Sequence, residues 1–154
     1  MHPTVTHPTL VHAFLHWADT TPNKTYLTQP CNGEVSTLTW AQCADQVRRM
    51  ATYLDSLGLP KGSSIGLLGR NSAHWILADL AIWLSGHVTV PLYPTLNGET
   101  AEYILDHASV RLLIIGKMDG KADGWNDSAP ILPADTPLIG LPMCTRRDSM
   151  KWPD

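Results

Sequence analysis

The chain has 154 residues, of which 44% are hydrophobic and 16% are charged, a composition sufficient for one globular domain with an apolar core. Its formal net charge is -3 at pH 7, and it has no polybasic run, so neither a nucleic acid nor an anionic membrane surface is expected as a partner. The longest apolar run is interrupted by Asp79 and is too short to span a membrane. The N-terminal residues do not have the pattern of a signal peptide.

The cysteines indicate a reducing compartment. Cys31, Cys43 and Cys144 are odd in number and form no C-x-x-C pair, which favours reduced thiols in a cytoplasmic protein over a disulfide framework. Cys43 shares a helical face with apolar residues, so we expect it to be an unreactive packing group.

The first predicted helix begins near Thr9 and stops before Pro22. Leu10, Phe14 and Trp17 recur at helical spacing and form its apolar face. This face is expected to pack against other parts of the protein.

A β-hairpin and a long helix follow. Residues 26–29 and 35–39 have the composition of short strands, and Asn32-Gly33 between them supplies a tight turn. Thr39 and Gln42 have the spacing of a capping box at the start of the next helix.

That second helix has a clear end and a solvent-exposed ion pair. Gly58 is placed to end it in the left-handed conformation, and Asp45 and Arg49 are one turn apart on its polar side. The pattern therefore predicts an amphipathic helix from about Thr39 to Gly58.

The next segment alternates strands and helices. Strands are predicted at residues 64–68, 88–90 and 112–115, with helices at about 72–85 and 97–108 between them. Short connections in this order build a right-handed, mostly parallel sheet flanked by helices. The predicted fold class is therefore α/β, with these three strands as parallel neighbours.

Ser72 is the predicted N-cap of the helix at about 72–85. This helix is apolar nearly all round, which predicts cover on both sides. We expect its outer face to carry His74, Ala78, Ala81 and Ser85. If the chain stands alone, this face must be exposed to solvent or buried in a dimer. If the chain is a fragment, further parts of the protein dock here, and the uncovered face favours a homo-oligomer, with dimers or larger species at high concentration.

The composition of the sequence changes after Gly116, and its hydrophobic periodicity ends there. Residues 1–116 form the predicted α/β subdomain, and residues 117–154 are rich in Asp, Pro and Gly without a sustained period. This second segment is expected to be irregular, with one strand at about 137–141.

The candidate binding residues follow two of the predicted strands. Ligands of parallel sheets bind outside the carboxyl ends of the strands. The loops at these ends carry candidate cleft-lining residues, which are Asn71, Ser72, Tyr93, Pro94 and Thr95. Pro94 fixes the backbone beside Tyr93; the structural alternative, which the general behaviour of such loops favours, is that Pro91 and Pro94 serve only to end the strand. The helix start after Arg70 offers at most a weak anion site.

Two other groups of polar residues have structural alternatives. His12 and His16 are one helical turn apart with Asp19 nearby, a spacing that permits a metal site, but exposed histidines need no ligand and no metal is predicted. Asp79 falls among apolar neighbours and is either a hydrogen-bonded core acid or a functional one; the structural interpretation is preferred.

No catalytic residue is assigned, because the sequence contains none of the common phosphate-binding, nucleophile or zinc motifs.

Two stretches resemble core motifs of one enzyme family. "LTWAQC", residues 38–43, is similar to L-[TS]-Y-x-E-L, with Trp40, Gln42 and Cys43 replacing tyrosine, glutamate and leucine. "LSGHVTVPLYPT", residues 84–95, resembles a glycine turn that leads to V-P-[LI]. These motifs, in this order, are typical of the adenylate-forming superfamily of acyl-CoA synthetases and luciferases.

The region between the two motifs supports the same resemblance. "KGSSIGLLGRNSAHWILADLAIWLSG" is similar to the family's K-G-D-x-V-A-x-x-x-x-N-[SC]-x-E-W pattern, with Ser63 replacing aspartate and His74 replacing glutamate. "PLYPT" followed by "AEYILDHASVRLLIIGK" looks especially like long-chain fatty-acid CoA ligases. The resemblance extends from about Thr9 to Lys117.

The resemblance implies a reaction in two steps, in which a carboxylate attacks ATP to form an acyl-adenylate and the thiol of CoA then displaces AMP. ATP, Mg2+, CoA and a fatty acid are implied for the full-length enzyme. The family's phosphate loop, [ST]-S-G-[ST]-T-G-x-P-K-G, is absent from the sequence, so this chain is expected to be an N-terminal subdomain that is inactive alone and whose partners are the remaining subdomains. The alternative is a free-standing, non-enzymatic α/β binding or interaction module.

Overall fold

A computed structural model describes residues 9–31, 34–116, 136–142 and 150–151, and the structural statements below concern these residues. The helices are α1 (Leu10–Thr20), α2 (Trp40–Ser56), α3 (Ala73–Leu84) and α4 (Gly98–His107). The strands are β1 (Thr25–Cys31), β2 (Glu34–Thr39), β3 (Ser64–Leu68), β4 (Val88–Leu92), β5 (Leu112–Ile115), β6 (Leu138–Gly140) and β7 (Met150–Lys151).

The central sheet has the order β4-β3-β5-β6-β7, and all neighbouring strands in it are parallel. β3 pairs with both β4 and β5, which confirms the predicted parallel neighbours. β6 confirms the strand expected at about 137–141, whereas β7 was not predicted. Residues 117–135, 143–149 and 152–154 lie outside the described residues, so the division after residue 116 stays a prediction.

The predicted hairpin is present and slightly longer than expected. β1 and β2 form a separate antiparallel pair, with Cys31 opposite Glu34 nearest the turn. The turn at residues 32–33 lies outside the described part of the chain.

The predicted helix ends of α1 and α2 are confirmed. Thr9 accepts the backbone N–H of His12 at the start of α1. At the start of α2, Thr39 and Gln42 form the reciprocal capping box, so two of the free N–H groups of the first turn have partners. Gly58 ends α2 with a φ of 66°, a conformation that glycine adopts without a Cβ clash.

Helices cover both faces of the central sheet. Alternate strand residues on one face join the larger core beneath α1, α2 and α3; these are Ile65, Leu67, Leu112, Ile114 and Ile139. The intervening residues on the other face pack with Leu105 of α4; these are Leu68, Leu92, Leu113 and Ile115. This two-sided burial explains why β3 and β5 are continuous apolar runs rather than alternating ones.

The outer face predicted for α3 is wrong. Ala78, Ala81 and Ser85 are buried within the chain because α3 packs against both the sheet and α2. The exposed apolar residues of α3 are instead Ile76 and Trp83. The prediction of a homo-oligomer was based on this outer face, so the structure removes its basis.

β4 forms one edge of the sheet, and Pro91 protects that edge. The backbone N–H of Val88 bonds to the carbonyl of Ser63 beside β3, so alternation directs residue 91 towards the free edge. Proline has no N–H to offer there, which weakens pairing with another strand. Among the residues described, no helix is long and apolar enough to cross a membrane.

Candidate functional site at the carboxyl ends of the strands

The carboxyl ends of β3, β4, β5 and β6 meet at one edge of the sheet. Leu68 lies opposite both Leu92 and Ile115 in the parallel register, and Ile115 lies opposite Gly140. The loops that follow β3 and β4 are therefore adjacent, as the sequence predicted. This edge is the position where parallel sheets bind ligands.

The backbones that follow β3 and β5 approach each other closely at this edge. Gly69 has a φ of 153°, and a Cβ atom built on it would lie 2.9 Å from the Cα of Gly116. The N–H of Gly116 also donates to the carbonyl of Leu68 at 2.7 Å. A Cβ atom on Gly116 would lie 3.8 Å from the Cα of Gly69, an ordinary contact distance, so it is the glycine at position 69 that lets the two chain segments pass side by side.

The start of α3 is capped by two side chains. The Ser72 hydroxyl accepts the N–H of Trp75 at 3.1 Å, which confirms Ser72 as the N-cap. Oε1 of Gln29, in the hairpin, accepts the N–H of Ala73 at 2.8 Å. Two of the N–H groups that an anion could meet at this helix start therefore already have partners.

The other candidate residues border the same edge. Tyr93 is 73% exposed, and its carbonyl accepts the N–H of Leu96 at 3.1 Å, which closes a turn through Pro94 and Thr95. Asn71 is exposed, and Ser72 is half-buried. The edge therefore presents an amide and a phenol to solvent on adjacent loops, while contact with a ligand stays a prediction.

The histidines of α1 have other contacts. Oγ1 of Thr9 lies 2.6 Å from Nδ1 of His12, and Asp19 lies 3.8 Å from Arg48. Within residues 9–31, 34–116, 136–142 and 150–151, no group of three His, Cys, Asp or Glu side chains is arranged to hold a metal ion.

Asp79 forms a side-chain hydrogen bond, in agreement with the structural interpretation that the sequence favours. Its Oδ1 accepts the hydroxyl of Thr89 at 2.6 Å. Desolvation raises the pKa of Asp79, and the Thr89 hydrogen bond partly opposes that rise.

Cys43 is fully buried as predicted, and desolvation raises the pKa of its thiol to about 11.

Sequence reasoning missed Gln29. A glutamine in a hairpin strand carries no local signal for capping a helix 44 positions later, so only the three-dimensional structure reveals it. Ser72, by contrast, was found because an N-cap has a local sequence pattern.

A parallel sheet with helices on both faces defines an α/β fold, in which ligands generally bind outside the carboxyl ends of the strands. The family model described as "AMP-binding enzyme" matches residues 14–150. The chain therefore belongs to the AMP-binding enzyme family, and the resemblance found in its motifs is confirmed.

The chain is similar to acyl-CoA ligases. It is 38% identical over 79 residues to a long-chain-fatty-acid CoA ligase of Rattus norvegicus, covering 51% of this chain and 12% of that protein. It is 32% identical over 96 residues to a mitochondrial medium-chain acyl-CoA ligase of Macaca fascicularis, covering 62% of this chain and 16% of that protein. The match thus spans less than a fifth of the length of these curated relatives.

The fold agrees with a solved structure. The acetoacetyl-CoA synthetase of Streptomyces lividans superposes with a TM-score of 0.78 at 20% identity, covering 92% of this chain and 24% of that one. At this identity the likeness shows the fold alone, which is that of adenylate-forming enzymes. These findings do not favour the alternative of a non-enzymatic interaction module.

Proposed function

We propose that this chain supplies the N-terminal α/β part of an ATP-dependent acyl-CoA ligase that acts on a fatty acid. The overall reaction joins a carboxylate to CoA through an acyl-adenylate, with release of pyrophosphate and then AMP. The observation that carries the proposal is the family match along residues 14–150, together with relatives named for long-chain and medium-chain substrates.

The contribution of this chain is structural positioning at the strand-end edge. The in-register ends of β3 and β4 hold the loops of Asn71 and Tyr93 next to each other. The proposed role of these loops, with Ser72, Pro94 and Thr95, is to line the acyl and CoA side of a cleft whose other walls come from the remaining subdomains. ATP, Mg2+ and CoA belong to that complete cleft.

The same proposal holds that the chain alone does not form an acyl-adenylate. Adenylyl transfer needs several donors arranged around the phosphates, and each preorganised donor contributes about 3 kcal/mol to lowering the barrier. The start of α3 has its Ala73 and Trp75 N–H groups engaged by Gln29 and Ser72, so it cannot supply this set. The buried thiol of Cys43 forms no disulfide within the described residues, which supports the proposal of a cytoplasmic location.

The test is fatty-acid-dependent pyrophosphate exchange with ATP, Mg2+ and palmitate. We expect no exchange above a heat-killed control for the 154-residue chain. For the product of the complete reading frame, we expect exchange and palmitoyl-CoA formation. Exchange by the 154-residue chain would contradict its inactivity, and a complete product that activates no fatty acid would contradict the proposed substrate class.

A further inference from the structure

A cavity of about 310 Å³ lies between α1, α3 and the residues where the hairpin meets α2. Six aromatic side chains line this aromatic groove, as we name it: Phe14, Trp17, Tyr26, Trp40, Trp75 and Trp83. None of the five strand-end candidates lines it, so it is distinct from the edge described above.

The floor of the aromatic groove is a packed ring cluster. Tyr26 and Trp40 stack with ring centroids 3.9 Å apart, and Phe14 lies 5.6 Å and 5.8 Å from them. The walls are open to solvent, since Trp17 is 48% exposed and Trp83 is 36% exposed. The groove therefore presents aromatic surface that a small molecule can reach.

One charged residue, Asp79, lines the groove. The Thr89 hydroxyl holds its carboxylate in place through Oδ1. In the described part of the chain no lysine, arginine or histidine forms an ion pair with it. A half-buried carboxylate thus stands beside aromatic rings, and no cation from the described residues balances its charge.

We propose that the aromatic groove binds an organic cation with an apolar body, the ammonium group lying at the Asp79 carboxylate and the body against the rings. Aromatic faces attract cations because their quadrupole places negative charge there. A neutral ligand would leave the desolvated carboxylate uncompensated, and an anion would be repelled. The volume suits a ligand of roughly ten non-hydrogen atoms at about 30 Å³ each.

Calorimetric titration of the 154-residue chain tests the ligand class. The probes are 2-phenylethylammonium, 2-phenylethanol and phenylacetate, which share a ring and differ in charge. We expect the cation to bind at least about fivefold more tightly than the alcohol, and the anion to bind most weakly. Equal affinity for the cation and the alcohol would overturn the proposal.

Substitutions test the position of the site. Asp79→Asn keeps an acceptor for Thr89 and removes the charge, so it is expected to abolish the preference for the cation. Asp106→Asn, on exposed α4, is the matched control and should change nothing. A cation preference that survives Asp79→Asn would overturn the assignment.

A second variant keeps the test decisive if Asp79→Asn fails to fold, which circular dichroism would reveal. Trp83→Leu removes one aromatic wall and is expected to weaken cation binding about threefold or more, without removing the preference for cation over alcohol. Unchanged affinity in Trp83→Leu would contradict the site. A dimer in light scattering that Trp83→Leu dissociates would show that a second copy covers the groove, and would overturn the proposal as well.

Discussion

The side-chain oxygen of Gln29 accepts the backbone N–H of Ala73 at 2.8 Å, although the two residues are 44 positions apart. This bond ties the hairpin to the first turn of α3. Since α3 begins directly after the loop of Asn71, the hairpin helps to fix the strand-end edge in place.

Gln29→Ala should lower the free energy of unfolding by about 1 kcal/mol, because it leaves the half-buried N–H of Ala73 without its partner. Urea denaturation followed by circular dichroism measures the change. Gln29→Glu retains an acceptor and places negative charge near a helix start, so it should recover most of the loss. Equal destabilisation by both variants would show that the hydrogen bond is not the cause.

Gly69→Ala should destabilise the fold strongly, by roughly 2–4 kcal/mol, because the new Cβ meets the backbone of Gly116. Gly62 is the matched control. It also has a positive φ, 79°, but its Cβ would meet nothing within 4 Å, so Gly62→Ala should cost only about 1 kcal/mol. Thermal and urea unfolding of both variants give the comparison. Similar losses would mean that the close approach to Gly116 relaxes at little cost.

Cys43 should resist alkylation in the folded protein. With a thiol pKa of about 11, only about one molecule in a thousand carries the reactive thiolate at pH 8, and the side chain is fully buried. Peptide mass spectrometry after iodoacetamide treatment should find Cys43 unmodified without urea and modified in it. Equal labelling in both conditions would contradict the burial.

Asp79 should make stability depend on pH in a defined direction. Desolvation raises its pKa in the folded state, so the folded chain binds more protons than the unfolded chain between the ordinary aspartate pKa and the raised one. The resulting stabilisation is present at low pH and is lost as pH rises through that window.

The measurement is the difference in melting temperature between the wild type and Asp79→Asn, because the other titrating groups are common to both. The wild type should lose stability relative to the variant as pH rises from about 4 to about 7. A difference that is constant, or that changes in the opposite direction, would contradict the raised pKa.

The sequence predicted most of the fold because its signals are local. Thr39 and Gln42 lie within one helical turn, and the apolar runs of β3 and β5 reflect burial on both sheet faces. The strand-end location of the candidate residues followed from the strand order alone. These features need no information about distant parts of the chain.

The features that escaped prediction depend on packing between distant elements. A helix as apolar as α3 offers no periodic signal for which face is covered, so Ala78 and Ala81 were assigned to the wrong side. The aromatic groove is lined by Trp17 of α1 and Trp83 of α3, two helices that the hairpin, α2 and β3 separate in sequence. Which side chains converge in this way is set by tertiary packing.

The central position of β3 has a consequence for synthesis of the chain. Both strands that pair with β3 come later in the sequence, and the second of them ends at Ile115. At about 5–20 residues per second, a ribosome needs roughly 2–10 s to proceed from Leu68 to that point. The apolar strand Ser64–Leu68 has neither neighbour until β4 is made, and it lacks its second neighbour until β5 is made. Nascent chains should therefore be most vulnerable to aggregation before translation reaches β5.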